Sequence, residues 1–144
     1  MDDQTRVGAH RETPKSTQKI IDGSPCRLEP ETLHYVKASH VGHPERHHFV
    51  CQDAFEITVA TTDEGLADLT IISRNPERWR MFSITCSNPV YCVGFLAAIA
   101  VPMRDADIDI LLVSTFTRDL VFVKAADVHR AAAILDAAGF QPQM

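Results

Sequence analysis

The feature that most constrains the fold is a change of hydrophobic spacing in the second half of the chain. From about Val93 onward, apolar residues recur every three or four positions, as they do on one face of a helix. Two apolar, β-rich runs follow, Ile108–Thr115 and Leu120–Lys124, and the short polar link FTRD between them predicts a hairpin. A second helical stretch begins after Asp127 and closes at Gly139, a natural C-terminal cap.

Each predicted helix has one apolar face, so both helices must lie against a sheet. The residues forming these faces are Leu96, Ile99, Met103 and Ala106 in the first helix and Val128, Ala131, Leu135 and Ala138 in the second. Pro102 falls inside the first helix and predicts a kink there. The strand Trp79–Cys86 precedes this helix, and a final strand is either missing or supplied elsewhere in the chain. This order of elements predicts an α+β, ferredoxin-like fold.

The first half of the chain repeats the strands but has almost no helix. Strands are predicted at Leu33–Ala38, Phe55–Ala60 and Leu69–Ser73, with turn-rich segments between them. The first 25 residues are polar apart from one isoleucine pair, which predicts a flexible tail. The chain is thereby divided into a tail (1–25), a first, degenerate half (26–76) and a second half (77–144).

The composition predicts a cytoplasmic protein that binds neither nucleic acid nor membranes. A formal net charge of −5, with Lys and Arg scattered along the chain, would repel phosphate backbones. The longest apolar stretch, Val90–Met103, contains a proline and is too short to cross a bilayer, and no signal peptide opens the chain. The cysteines Cys26, Cys51, Cys86 and Cys92 form no CxxC pair and are expected to be reduced and mostly buried.

Two stretches of the sequence resemble the CASTOR-type ACT proteins. GFLAAIAVPMRDADIDILLVSTFTRDLVFVKAADVHRAAAILDAAGF resembles their second ACT domain, and FEITVATTDEGLADLTIISRNPERWRMFSI resembles their first half. The resemblance extends from about Leu33 to Phe140. It implies two tandem ACT-like halves, the first degenerate, with antiparallel sheets and helices on one face.

The resemblance also implies a function: an amino-acid sensor that is not an enzyme and needs no cofactor, with its ligand at the interface of the two halves. The ligand-binding residues it implies are Tyr91, Cys92, Val93, Gly94, Ser114, Thr115, Phe116 and Asp119. The chain departs from the family pattern at Thr117-Arg118 and at Leu120, where the family often has an aromatic residue. These departures leave the identity of the amino acid open.

The same site follows from physical chemistry. A helix beginning near Val93 presents unpaired backbone N–H groups that suit an α-carboxylate, and Gly94 lets a ligand approach the backbone. If Asp119 faces the same cleft from the hairpin, its carboxylate can pair with an ammonium or guanidinium group. Alternatively, Asp119 is a solvated turn residue, and Ser114 and Thr115 are ordinary strand residues.

Other functions compete with amino-acid sensing. The loop that contains His40, His43, His47 and His48 offers imidazoles for a metal ion, although its spacing matches no standard metal motif, and a solvated, pH-sensitive loop is the plainer interpretation. A third possibility is a ligand-independent interaction module that forms a homodimer or binds a regulated protein partner.

A thiol enzyme is also conceivable. Cys86 and Cys92 flank the predicted pocket, and a helix N-terminus would lower the pKa of Cys92. No general base is evident beside them, because His129 belongs to the second predicted helix.

Overall fold

The computed structural model describes residues 12–144, which form three α-helices and eight β-strands. In chain order these are α1 (Lys15–Asp22), β1 (Cys26–Leu28), β2 (His34–Val41), β3 (Phe49–Gln52), β4 (Ile57–Thr61), β5 (Leu69–Arg74), β6 (Trp79–Thr85), α2 (Phe95–Asp105), β7 (Ile110–Ser114), β8 (Arg118–Lys124) and α3 (Val128–Ala137). Short 3-10 turns occupy 44–46, 64–68 and 125–127.

The strands form two antiparallel four-stranded sheets. Sheet A has the order β1-β6-β8-β7, and sheet B has the order β3-β4-β2-β5. The strand that the second half lacked is β1, which pairs Cys26 with Ile84 along the outer side of β6. Although β1 lies within the predicted first half (26–76), it therefore completes the sheet of the second half. The α+β fold class with antiparallel sheets is confirmed.

The flexible tail predicted for residues 1–25 is wrong over residues 15–22, where the chain forms helix α1. Ile21 is fully buried in the core formed by sheet A and its helices, and Thr17 is also buried. The sequence showed only one isoleucine pair here, too little apolar surface to indicate packing by itself. The part of the predicted tail between residues 1 and 11 lies outside the described residues.

The three helices cover one face of sheet A. Val121 and Val123 of β8 point into this core, where Ile99 of α2 and Leu135 of α3 meet them. The apolar face of α2 is rotated from the prediction, since Phe95 is buried and Leu96 is 42% exposed. The helix also continues through Pro102 as far as Asp105.

Sheet B packs against the other face of sheet A. Leu120 and Phe122 alternate with the helix-facing valines of β8 and meet Leu33 and Ala60 in a second core. The ring of Tyr35 stands edge-on to that of Phe122, with centroids 5.5 Å apart. Because side chains alternate along a strand, Asp119 belongs to the helix-facing series.

The first half is degenerate, as expected, because a 3-10 turn at Glu64–Asp68 replaces a crossover helix between β4 and β5. Strand β3 was not predicted: Phe49–Gln52 pairs with β4 along the edge of sheet B. A third apolar cluster, centred on Val36 and Val59, lies within this half.

Candidate functional site

A cavity of about 510 Å³ opens between the N-terminus of α2 and the tip of the β7–β8 hairpin. Six of the eight predicted ligand-binding residues line it: Cys92, Gly94, Ser114, Thr115, Phe116 and Asp119. The two elements on which the prediction depended therefore converge. Every residue of the wall lies between Cys86 and Asp119, so the cavity belongs to the second half alone. The expectation of a site at the interface of the two halves is wrong for this cavity, which is built from the α2 and hairpin side of sheet A.

The floor of the cavity contains a buried carboxylate. Asp119 is 8% exposed, and the Ser114 hydroxyl donates a hydrogen bond of 2.6 Å to its Oδ1. The strand register places Asp119 between Ile84 of β6 and Ser114 of β7. Among residues 12–144, the ion pairs of the protein leave Asp119 without a Lys, Arg or His partner. Asp119 is therefore not a solvated turn residue.

The opposite wall is the first turn of α2. Gly94 is the residue before the helix and has φ +83°, a left-handed conformation that favours glycine. Leu96 and Ala97 follow it in the wall, and the backbone N–H groups at this end of a helix have no acceptor within the helix. The cavity therefore has an anion-attracting end and a carboxylate facing one space.

Two predicted residues do not line the cavity. Tyr91 and Val93 are 76% and 81% exposed, and neither belongs to the wall. The Val93 carbonyl instead accepts a hydrogen bond of 2.6 Å from the Thr17 hydroxyl, which orients this part of the loop outward. These two residues therefore contribute no side chain to the wall of this cavity.

The prediction also missed residues of the wall. Pro89, Phe95 and Leu96 add apolar surface, and Thr117 and Arg118 add the tip of the hairpin. Cys86, named only as a flanking thiol, lies in the wall as well. Cys86 directly follows β6, the strand that pairs with Asp119 of β8, so its position in the wall could have been deduced from the sequence.

The surroundings of Cys92 in the wall disfavour its thiolate. Burial raises the pKa of the Cys92 thiol, and so do its contact with the Cys86 thiol and the negative charge of Asp119. The sequence predicted that the N-terminus of a helix would lower the pKa of Cys92, which is the opposite direction. Because the thiolate is the reactive form, a raised pKa disfavours the thiol-enzyme hypothesis.

The histidines of the 40–48 loop are distributed over separate carboxylates. His43 Nδ1 and His47 Nε2 contact the two oxygens of Asp68 at 2.7 and 2.8 Å, and the Thr61 hydroxyl lies 2.7 Å from His47 Nδ1. The His47 side chain is fully buried, so the prediction of a solvated loop is wrong at that residue. The His47 ring therefore bridges the Asp68 carboxylate and the Thr61 hydroxyl.

His48 lies in a different group. Its Nε2 is 3.2 Å from Glu31, and Glu29 completes a set whose ligand atoms lie within 4.8 Å of one another. Apart from His48, the histidines of this loop do not belong to this set, so the four imidazoles of the loop do not meet at one centre.

No helix among residues 12–144 has the length and apolar character that a membrane crossing requires.

Residues 74–137 match a family model described as the ACT domain, which spans β6 through α3 and so includes the whole cavity wall. This match supports the resemblance to ACT domains over that part of the chain, without distinguishing the CASTOR type. No curated protein matches the sequence.

Solved structures share the fold over most of the chain. A Vibrio cholerae protein of unknown function, described as a possible transport protein, is 15% identical with a TM-score of 0.66, covering 87% of this chain and 97% of its own. An Agrobacterium tumefaciens protein is 16% identical with a TM-score of 0.64, covering 83% and 92%. The regulatory subunit of aspartate kinase from Thermus thermophilus is 10% identical with a TM-score of 0.52, covering 78% and 95%.

Proposed function

We propose that this protein is a regulatory amino-acid-binding protein without catalytic activity, and that its ligand binds in the cavity between α2 and the β7–β8 hairpin. The ligand's ammonium group pairs with Asp119, and its carboxylate meets the N-terminus of α2. The apolar wall contributed by Pro89 and Phe95 receives the ligand's side chain.

The observation that carries the proposal is the buried carboxylate of Asp119, which has no cationic partner within the described range 12–144. An ionised carboxylate in a partly apolar cavity is costly unless it is paired or hydrogen-bonded. Ser114 satisfies one oxygen of Asp119, and the carboxylate faces a space large enough for a small molecule. A ligand ammonium supplies the missing charge.

The comparisons support the same class of function. The ACT-domain match includes the whole wall, and a similar fold occurs in a protein that is a regulatory subunit of a kinase. The raised pKa of Cys92 supports a binding role over a catalytic one. The apolar wall and the departures at Thr117, Arg118 and Leu120 leave the particular amino acid to experiment.

Calorimetry and thermal unfolding with the twenty amino acids test the proposal. At a hundredfold excess over Kd, a ligand stabilises the protein by about 2.7 kcal/mol, which is about 8 °C in Tm for a chain of this size. Asp119→Asn should weaken the affinity at least about tenfold, because the charged partner is lost. Asp136→Asn, an exposed substitution on α3, is the matched control and should bind normally.

A full panel that leaves the Tm of the wild type unchanged would contradict the proposal. Binding that survives Asp119→Asn would instead place the ligand elsewhere.

A second candidate function is self-association. Large apolar side chains are exposed in the loop before α2, in the first turn of α2 and at the tip of the β7–β8 hairpin: Val90, Tyr91, Val93, Leu96 and Phe116. Contiguous exposed apolar surface is typical of an interface. If a second copy covers this surface, light scattering should report a dimer that Phe116→Ser and Tyr91→Ser dissociate, with or without ligand. A monomer at high concentration would contradict it.

A further inference from the structure

The loop between β6 and α2 carries one wall of the cavity, yet it makes few contacts of its own. We call residues 87–94 the site loop. Its internal bonds are long: Tyr91 N–H donates to Asn88 at 3.4 Å, and the Cys92 thiol lies 3.6 Å from the Pro89 carbonyl. Val90, Tyr91 and Val93 are largely exposed, so little apolar burial holds the loop in place.

The first end of the site loop is bound to the C-terminal turn of α1. The Ser87 backbone N–H donates to Ser24 Oγ at 3.0 Å, and the Ser87 hydroxyl donates to the Ile20 carbonyl at 3.0 Å. The Ser24 hydroxyl donates to the same carbonyl at 2.6 Å. Carbonyls in the last turn of a helix receive no hydrogen bond from an N–H group within the helix. The serine hydroxyls therefore supply donors to the end of α1 and hold the loop at the same time.

The second end is bound to the middle of α1. The Thr17 hydroxyl donates to the Val93 carbonyl at 2.6 Å, across 76 residues of chain, and Thr17 is 2% exposed. Val93 directly precedes Gly94, the left-handed residue from which α2 begins. The Thr17 bond therefore fixes the peptide plane that directs the first turn of α2 toward the cavity.

Helix α1 is itself fixed to the rest of the second half. Ile21 lies in the core beneath α2 and α3, and the Gln18 side-chain amide donates to the Ala138 carbonyl at the end of α3, at 3.0 Å. The helix can therefore transmit the position of the core to the site loop.

We infer that α1 is a clamp that holds the site loop in the conformation that forms the cavity wall, and that Thr17 is a positioning residue for the ligand. The second statement rests on the proposed function; the first does not. Removing the Thr17 hydroxyl frees one end of the loop while the other end stays bound through Ser87. The Cys92 side chain lies between the two ends, so its accessibility reports opening of the loop with or without a ligand.

The experiment uses the full chain with Cys51→Ser, which removes the exposed thiol. The rate of Cys92 modification by a disulfide reagent is followed by mass spectrometry. Thr17→Val keeps the shape of the side chain and removes the donor, and one hydrogen bond of about 1 kcal/mol corresponds to about a fivefold faster rate. Thr17→Ser restores the hydroxyl and should return the rate to within about twofold of the parent.

Thr61→Val is the matched control. Thr61 is an equally buried threonine whose hydroxyl bonds His47 in sheet B, far from the site loop in the fold. The Thr61→Val substitution should lower the Tm without changing the rate of Cys92 modification. This comparison separates opening of the loop from a general loss of stability. If Thr17→Val does not fold, Ser87→Ala removes the hydroxyl bond to Ile20 at the other end of the loop, keeps the backbone bond to Ser24, and should accelerate the same reaction.

Ligand affinity gives the second measurement. Thr17→Val should raise Kd about fivefold for any amino acid that the wild type binds, and Thr61→Val should leave Kd unchanged. Equal Cys92 rates in the wild type, Thr17→Val and Ser87→Ala would overturn the clamp. A wild type that binds no amino acid would overturn the proposed function alone, because the thiol measurement still decides the clamp.

Discussion

Two aspartates, one in each half of the molecule, are treated in opposite ways: Asp68 is partly exposed and Asp119 is buried. Asp68 in the first half receives two imidazoles and the His43 backbone N–H, and these bonds hold its pKa well below its usual range. Asp119 in the second half receives only the Ser114 hydroxyl and faces a cavity. One carboxylate is saturated by its own chain, whereas the other has capacity left for a ligand.

The difference teaches how a site can be told from a structural network. The histidine-rich loop is the most chemically suggestive segment of the sequence. In the fold, however, its imidazoles connect β4 to the 3-10 turn that follows it, in a half that has no α-helix between Thr61 and Leu69. Asp119 stands in a hairpin, where aspartate is ordinary, yet it is buried and has no charged partner among residues 12–144. A buried carboxylate without a charged partner indicates the binding site better than the type of residue does.

The largest expected difference between the halves is in thiol reactivity. Burial raises the pKa of Cys26, on β1 of sheet A, to about 12, whereas Cys51 on the edge of sheet B is exposed. At pH 8 a thiol with that pKa is ionised in about one molecule in 10,000, against roughly a quarter for a model thiol. With a disulfide reagent, we expect Cys51 to react at least about a thousandfold faster. Comparable rates would mean that the helices do not seal sheet A.

The next largest effect concerns the network of the first half. A Cβ on Gly65 would lie 1.8 Å from Thr61 Oγ1, the atom that bonds His47. Gly65→Ala must displace that hydroxyl and leave a buried imidazole nitrogen unsatisfied, so we expect a loss of about 3 kcal/mol in chemical denaturation. Gly23→Ala is the control, since its nearest neighbours would be at 3.6 Å. Equal stability of the two variants would show that the network is dispensable.

Local periodicity was enough to predict most of the fold. The spacing of apolar residues already matched the structure in three elements. These are helix α3, the β7–β8 hairpin and strand β6, which begins at Trp79. Helix α1 and strand β1 were not recognised because their stability comes from contacts distant in sequence. Cys26 pairs with Ile84, and Thr17 binds the Val93 carbonyl. Such contacts leave no periodic signal in a short segment.

The site was predicted in part for a similar reason. Gly94 and Asp119 could be brought together from the order of elements and the resemblance, and they do line one cavity. The outward turn of Tyr91 and Val93 depends on α1, which the sequence did not reveal. The rotation of α2 that buries Phe95 in place of Leu96 depends on Phe140, whose ring packs edge-on against it at 5.5 Å. Helical spacing fixes a face only to within about one residue.

The third prediction compares the two aspartates directly, in the absence of ligand. Asp119→Asn removes a buried charge that lacks a charged partner and keeps an oxygen for Ser114, so the Tm should stay within about 2 °C of the wild type or rise. Asp68→Asn places an amide against two imidazole nitrogens and should lower the Tm by several degrees. Calorimetric scans of both variants, with Asp136→Asn as the exposed control, give the comparison. Equal destabilisation by both would mean that Asp119 is also a structural group.

The smallest effect is a difference in acid sensitivity. The carboxyls whose pKa is lowered include Glu31, Asp53, Asp63 and Asp68, all in the first half; the causes are hydrogen bonds from backbone N–H groups at Glu31 and Asp53 and from histidine side chains at Asp63 and Asp68. A depressed folded-state pKa contributes stability that is present above the unfolded value of about 4 and is lost as pH falls through the folded one. The Tm should therefore decline below about pH 4.

Sheet B should lose more stability than sheet A at low pH. Hydrogen exchange at about pH 3 should therefore show β4 and β5 opening before β6 and β8. Asp68→Asn removes one of the responsible carboxyls, so the gap between its Tm and that of the wild type should narrow as the pH falls from about 4 to about 3, because the stability that Asp68 gives the wild type is lost below the unfolded pKa of about 4. Asp136→Asn should keep a constant offset from the wild type. A parallel decline of Asp68→Asn and the wild type over this range, or simultaneous opening of both sheets, would show that the paired carboxylates do not distinguish the two halves.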